Sequence, residues 1–220
     1  IKDDEKGGGI SGLEAFEGLG LLGGMGGSGI ENEMGILRSK QLITNVAKEL
    51  QLNVRYFIEE DVRLIETYSN RSVDVQILNL EDQKLTEALS FEFIEEGETN
   101  FRLKDLESDE EINGTYGKPV DLDFATIIIT KRLTSSKDLV SKETAPLLIT
   151  FNTIEAVAGA YRKEIQLSLT DKNSELIELN LNDPVKEKAR DILNQLIFEY
   201  NKQAIEDKNQ VAMNTAKFIE

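Results

Sequence analysis

The stretch Asn182–Tyr200, NDPVKEKARDILNQLIFEY, opens a helix. Asp183 can cap the free backbone N–H groups of a first turn, and Pro184 suits the first helical position, where its missing N–H costs nothing. Apolar or small residues then recur at Val185, Ala189, Ile192, Leu196, Tyr200 and Ala204, with Leu193 and Ile197 widening the stripe. That spacing places them on one helix face. The pattern continues through Val211 to Phe218 without a Gly or Pro to stop it. At 1.5 Å per residue, a helix over 184–219 spans roughly 50 Å, more than a compact domain of this size would cover. Its later part, NKQAIEDKNQVAMNTAKFIE, is more polar than its start, so the helix is expected to leave the domain and project.

Working back from this helix, two strands are predicted at EIQLSLT and SELIELNL, joined by the turn residues Asp171–Ser174. Asn152 or Thr153 caps a short helix with Ile154, Val157, Ala158 and Tyr161 on one face. Earlier segments rich in β-branched and aromatic residues also read as strands: NVRYFI, SVDVQILN, SFEFIEE, TNFRLKD, DFATIIITKR and PLLITFN. Gly97 between the third and fourth suggests a hairpin, and ESDEEINGTYGKP reads as a long exposed turn. A further helix is predicted over about 31–51, with Ile43, Val46, Ala47 and Leu50 at helical spacing.

This order predicts an α+β fold: a mixed, largely antiparallel sheet packed with helices, plus a long C-terminal helix that projects from the domain. Three regions follow. Residues 1–30 hold eleven of the sixteen glycines and form a Gly-rich segment, although Leu13, Phe16, Leu19 and Met25 are unusual in a solvated linker. Residues 31–182 form the α+β domain, and 183–220 begin the long helix.

Composition narrows function by exclusion. The 220 residues include 41 acidic and 25 basic side chains, a net charge of −16, and 40% are hydrophobic. A core is affordable, the charge favours solubility, and nucleic acid or an anionic membrane surface is a poor partner without clustered Lys and Arg. The chain has no His, Cys or Trp. Imidazole or thiolate zinc sites, Cys nucleophiles, Ser-His-Asp triads and disulfides within the chain are therefore excluded. No run of 18 apolar residues occurs, so no segment is long and apolar enough for a transmembrane helix.

Three motifs invite chemistry and fail on context. GLGLLG, with Gly18, Gly20 and Gly23, matches GxGxxG, but a dinucleotide site needs a preceding strand and a helix opening within the motif. Asp109, Glu111, Asn113 and Gly114 match four positions of a calcium loop, but Val120 stands where a bidentate Glu is required. Paired carboxylates such as Glu59 and Glu60, or Asp121 and Asp123, could serve as acid and base only if they face one pocket, and aromatic sugar platforms are scarce. No catalytic residue, cofactor or metal site is expected. The plain alternative to any specific role is a generic acidic binding module.

Two blocks carry a resemblance. ENEMGILRSKQLITNVAKELQLNVRYF resembles the opening helix and first strand of the Wzz-type chain-length determinant domain, and SELIELNL with the long helix after it resembles that domain's last strand and helix. Together they cover about a third of the chain. The likeness is nearest to the periplasmic region of Wzc-like polysaccharide co-polymerases of Bacteroidetes type, in which a segment like Ile1–Glu5 follows the first membrane span. The resemblance implies a segment of an inner-membrane protein on the periplasmic side, with spans before and after it and, in many members, a cytoplasmic tyrosine autokinase domain. It implies a homo-oligomeric ring that regulates chain length or export of a surface polysaccharide, with a polymerase and the nascent glycan as partners. The family's recurring positions fall on Asp183, Pro184, Ala189, Asn194, Tyr200 and Phe218, all implied to be structural.

Overall fold

The computed structural model describes residues 27–60, 62–81, 83–132, 146–171 and 176–219. The GxGxxG glycines and most of the Gly-rich segment lie outside the described residues, as does part of the turn at Asp171–Ser174. Two helices open the described chain, α1 (Gly27–Leu37) and α2 (Lys40–Glu49), where the sequence spacing predicts one helix over about 31–51. Ser39 explains the break. Its backbone is extended (φ −64°, ψ 141°) and its hydroxyl accepts the Leu42 N–H at 3.2 Å, giving α2 its own N-cap. At the other end Gln51 takes the left-handed conformation (φ 49°), and the Leu52 N–H turns back to the Ala47 carbonyl at 2.9 Å. This closes α2 without the glycine that usually stands there.

Nine strands follow among the described residues before the next helix. They are β1 (Val54–Glu60), β2 (Arg63–Thr67), β3 (Val73–Leu80), β4 (Leu89–Glu96), β5 (Asn100–Asp105), β6 (Glu111–Thr115), β7 (Pro119–Asp121), β8 (Ala125–Lys131) and β9 (Leu147–Phe151). They form a six-stranded sheet in the order β2-β1-β9-β4-β5-β6 and a three-stranded sheet in the order β3-β8-β7. Side chains alternate inward along each strand and bring the two sheets together over one apolar core. Val54, Tyr56, Phe91, Phe93, Ile149 and Phe151 enter it from the larger sheet, and Val73, Val75, Ile127 and Ile129 from the smaller. Phe91 and Phe151 meet edge to face, with ring centroids 5.8 Å apart.

The expected hairpin is present, with β4 and β5 paired from Glu96↔Asn100 to Phe91↔Asp105 across Gly97 (φ 75°). The expected long turn after it is different. It contains edge strand β6, paired from Asn100↔Thr115 to Lys104↔Glu111, and the following β7 joins the smaller sheet. Gly114, which fits a calcium-loop position in sequence, has a packing role instead. It lies opposite Phe101, whose ring would be 2.2 Å from any Cβ placed there. A strand glycine here gives the aromatic ring its space.

Helix α3 (Ile154–Glu164) is capped by Thr153, whose hydroxyl accepts the Ala156 N–H at 3.1 Å. The hairpin β10 (Gln166–Leu169) and β11 (Ile177–Asn180) leads to α4 (Lys186–Ile219). These elements share a second apolar core with α1 and α2, built from Leu42, Ile43, Val46, Val157, Ala158, Ile192 and Leu196 among others. The fold is therefore α+β, with a long C-terminal helix, and every described strand pair is antiparallel. No helix of the described residues is long and apolar enough to cross a membrane.

Candidate functional site

The face of β1 and β2 that points away from the sandwich core carries charge. Tyr56 enters that core, so its neighbours Arg55 and Phe57 point the other way, and Glu66 pairs with Phe57 across the strands. Arg55 and Glu66 are thus diagonal neighbours on one face. The Arg55 guanidinium donates from Nε (3.1 Å) and Nη2 (2.7 Å) to the two Glu66 oxygens, a bidentate geometry, while it also lies 4.9 Å from the Phe57 ring centroid.

The start of α4 completes the cluster. Lys188 Nζ donates to Glu66 Oε1 at 2.7 Å and pairs with Asp183 Oδ2 at 3.1 Å. Asp183 Oδ1 accepts the Val185 N–H at 2.8 Å, and Oδ2 accepts the Tyr161 hydroxyl of α3 at 3.1 Å. The Lys188 side chain is 4% exposed, Asp183 6% and Glu66 7%. Burying an ion costs several kcal/mol unless its charge and hydrogen bonds are answered. Here two cations face two carboxylates, and each carboxylate accepts more than one hydrogen bond.

These contacts shape the titration of the members. Burial by itself would raise the Glu66 carboxyl, but hydrogen bonds from Arg55 and Lys188 and their charges outweigh it and hold it below the usual carboxylate range. At neutral pH Glu66 is an ionised partner rather than a proton donor. Burial, then the Asp183 charge and hydrogen bond, push the Tyr161 phenol up. The Tyr68 phenol, also raised chiefly by burial, bonds to Asp191 one turn further along α4. The cluster is a polar clasp that fixes the base of α4 to the β1–β2 edge and to α3.

A second clasp lies higher on the helix. The Tyr200 hydroxyl bonds to the Glu33 carboxylate of α1, and burial followed by that carboxylate pushes the phenol up to about 12. Glu199 is buried beside it, accepts from Gln195 Nε2 at 3.0 Å and has Lys202 Nζ at 3.7 Å.

The residues marked by the sequence fall in different places. Asp183 belongs to the lower clasp and Tyr200 to the upper. Pro184 precedes the first helical residue by two, because the Val185 carbonyl accepts the first intrahelical bond, from Ala189 N–H at 3.0 Å. Asp183 still caps, through Val185 instead of a later N–H. Ala189 is half-buried, Asn194 is exposed, and Phe218 is 92% exposed. Ile197, expected to widen the buried stripe, is also exposed; the buried column instead runs Lys188, Ile192, Leu196 and Glu199.

The sequence pattern does not single out Lys188, Glu66, Arg55 or Tyr161 as site residues. Lys188 had a readable signal, since it stands four residues before Ile192 and eight before Leu196, in phase with the apolar face. Glu66 has none, because the β2 segment RLIET is not among those that read as strands.

Other candidate groups remain apart. Asp121 is exposed and accepts from the Thr126 hydroxyl at 2.8 Å, while the Asp123 backbone carbonyl accepts from Lys84. Glu59 and Glu60 lie at the end of β1, and neither lines the cavities beside the clasp. Asp109 pairs with Lys104 at 2.9 Å instead of joining a ring of oxygen ligands. Among the described residues, no group of three or more His, Cys, Asp or Glu side chains is arranged to hold a metal ion.

Two cavities flank the lower clasp. One, about 240 Å³, lies between the C-terminal end of α2, the outer face of β1–β2 and Lys188. The other, about 200 Å³, lies along α3 and reaches Asn152 and Asp183. Leu52, Arg55, Tyr161 and Lys188 are walls of both. No protein-family model matches this chain, and no curated protein matches it.

Proposed function

We propose that the chain is a periplasmic scaffold domain of an inner-membrane polysaccharide co-polymerase, regulating the length or export of a surface polysaccharide by assembling with copies of itself. The observation that carries this reading is the outer half of α4. Residues 205–219 are all exposed, and Ile205, Met213, Phe218 and Ile219 leave large apolar side chains in solvent. Ile197, Ala204, Val211 and Phe218 recur every seventh residue, a spacing that keeps them close to one face of the helix. Exposed apolar surface of this kind suits packing against another helix. The clasp at Lys188 supports the same reading by giving the helix a fixed direction from the sheet.

In this role the domain catalyses nothing. It holds a membrane-bound polymerase and the nascent glycan within an oligomer whose walls include the α4 helices. The end-block resemblance to chain-length determinant domains supplies the substrate class. The test is the length distribution of surface polysaccharide, run on a gel, from cells with the gene deleted and then restored. A shifted distribution, or loss of polymer, reversed on restoration, is expected. Unchanged amount and length would overturn the reading and leave an acidic binding module as the better account.

A further inference from the structure

We infer that α1 is a hinged strap: it lifts off α2 and α4 as one unit about residues 38–39, with the Tyr200 hydroxyl on the Glu33 carboxylate as its latch.

The helix is weakly held for its length. Of residues 29–37 only Leu37 is buried, with Met34 packed against the second apolar core, whereas α2 buries Leu42, Ile43, Val46 and Ala47 within ten residues. A free helix of 11 residues is too short to hold in water, so α1 persists only through what it touches. Gly35 weakens it further, by about fivefold in helix stability relative to alanine. No close approach requires that glycine, because it is exposed and an added Cβ would meet nothing within 4 Å.

The pivot is fixed on the side of the body. Arg38 Nη2 donates to the Leu167 carbonyl of β10 at 3.0 Å, and the Arg38 carbonyl accepts from Arg162 Nε of α3 at 3.0 Å. Ser39 caps α2 by itself, so α2 keeps its first turn when α1 leaves. Beyond the pivot, among the described residues, Glu33 is the α1 side chain that hydrogen-bonds to another element, through Tyr200. Opening also changes the surface. A raised α1 bares Tyr200, one turn before Ala204 on the same face, and so lengthens the uncovered stripe of α4 toward the body. The strap works in this way whether or not the chain acts as a scaffold, and its test requires no polysaccharide phenotype.

Native-state hydrogen exchange of the purified 220-residue chain, followed by NMR, tests the hinge. Amides 31–38 are expected to share one protection factor, about a hundredfold or more below those of residues 43–47 in α2 and 192–196 in α4. Tyr200→Phe removes the latch hydroxyl and is expected to speed exchange across 31–38 about threefold to tenfold, leaving α2 unchanged. Gly35→Ala is expected to slow the same amides about fivefold. Thermal melting checks that both variants fold, and Glu33→Ala removes the latch from its other side should Tyr200→Phe fail. The inference is overturned if α1 amides are as protected as those of α2, or if protection climbs steadily from residue 31 to 38, the pattern of a fraying end. It is overturned equally if loss of the latch leaves α1 exchange unchanged or quickens α2 to the same degree.

Discussion

The two halves of α4 share one continuous backbone ladder and nearly opposite surroundings. From Lys186 to Tyr200 the helix buries Ile192 and Leu196 completely and fastens itself by Lys188 to β2 and by Tyr200 to α1. From Ile205 to Ile219 every residue is exposed, and the aromatic Phe218 stands almost wholly in solvent. The difference teaches that helix formation and helix packing are separable. Both halves lack Gly and Pro after Pro184 and continue the helix, but only the first has apolar residues on the face that meets a partner within the fold.

The largest effect is expected where the inner half is held by charge. Lys188→Ala removes the cation between Glu66 and Asp183 and is expected to cost about 3–5 kcal/mol, because it leaves the buried Asp183 carboxylate without a cation and Glu66 with Arg55 alone. Urea unfolding of the purified chain measures it; a loss below about 1 kcal/mol would mean that water reaches the clasp freely. Leu196→Ala tests the apolar side of the same half, with an expected loss of about 2–5 kcal/mol from lost burial and the cavity left behind.

Acid should act more gently on the clasp than deletion of Lys188. Glu66 has a folded-state pKa below its ordinary value, so its contribution is fully present above the unfolded pKa and is lost as pH falls through the folded one. Protonation leaves a carboxyl that still bonds to its neighbours. Stability measured from neutral pH into the acid range should therefore decline below about pH 4.3, the ordinary Glu value. In Glu66→Gln this part of the decline should be absent, and the neutral-pH stability lower. An identical acid slope in both proteins would show that Glu66 does not carry it.

The smallest effects belong to the outer half. Ile205→Ala and Phe218→Ser should each change the stability of the isolated chain by no more than about 0.5 kcal/mol, since neither side chain is buried within the fold. A loss comparable to that of Leu196→Ala would break the contrast and point to self-association covering this face. Sedimentation of the same variants distinguishes the two cases.

Much of this organisation was legible before the structure. The strands at Val54–Glu60, Val73–Leu80 and Ala125–Lys131 announce themselves by β-branched and aromatic residues, and Thr153 marks α3 by its capping chemistry. Edge strand β6 was illegible because EINGT is polar and contains a glycine; its pairing is set by Phe101 needing the space opposite Gly114. Ser39 is masked in the sequence because apolar spacing continues in phase across it, although a hydroxyl residue three before Leu42 is a local signal for a new helix start. Of the helix positions the sequence singles out, Asp183 sits in the lower clasp and Tyr200 in the upper, whereas Arg55 and Glu66 are 11 residues apart in sequence and 122 residues separate Glu66 from Lys188.

By itself the sequence determined what depends on neighbours along the chain: helix and strand periodicity, caps, the long uninterrupted α4, the absence of His and Cys chemistry, and the acidic charge. Tertiary structure alone decided which charges are buried, which half of α4 is covered, and where the cavities open. Those outcomes depend on which faces meet after distant segments pack. A lysine in phase with an apolar stripe reads the same on paper whether it meets water or two carboxylates, and only packing supplies the partners that make its burial tolerable.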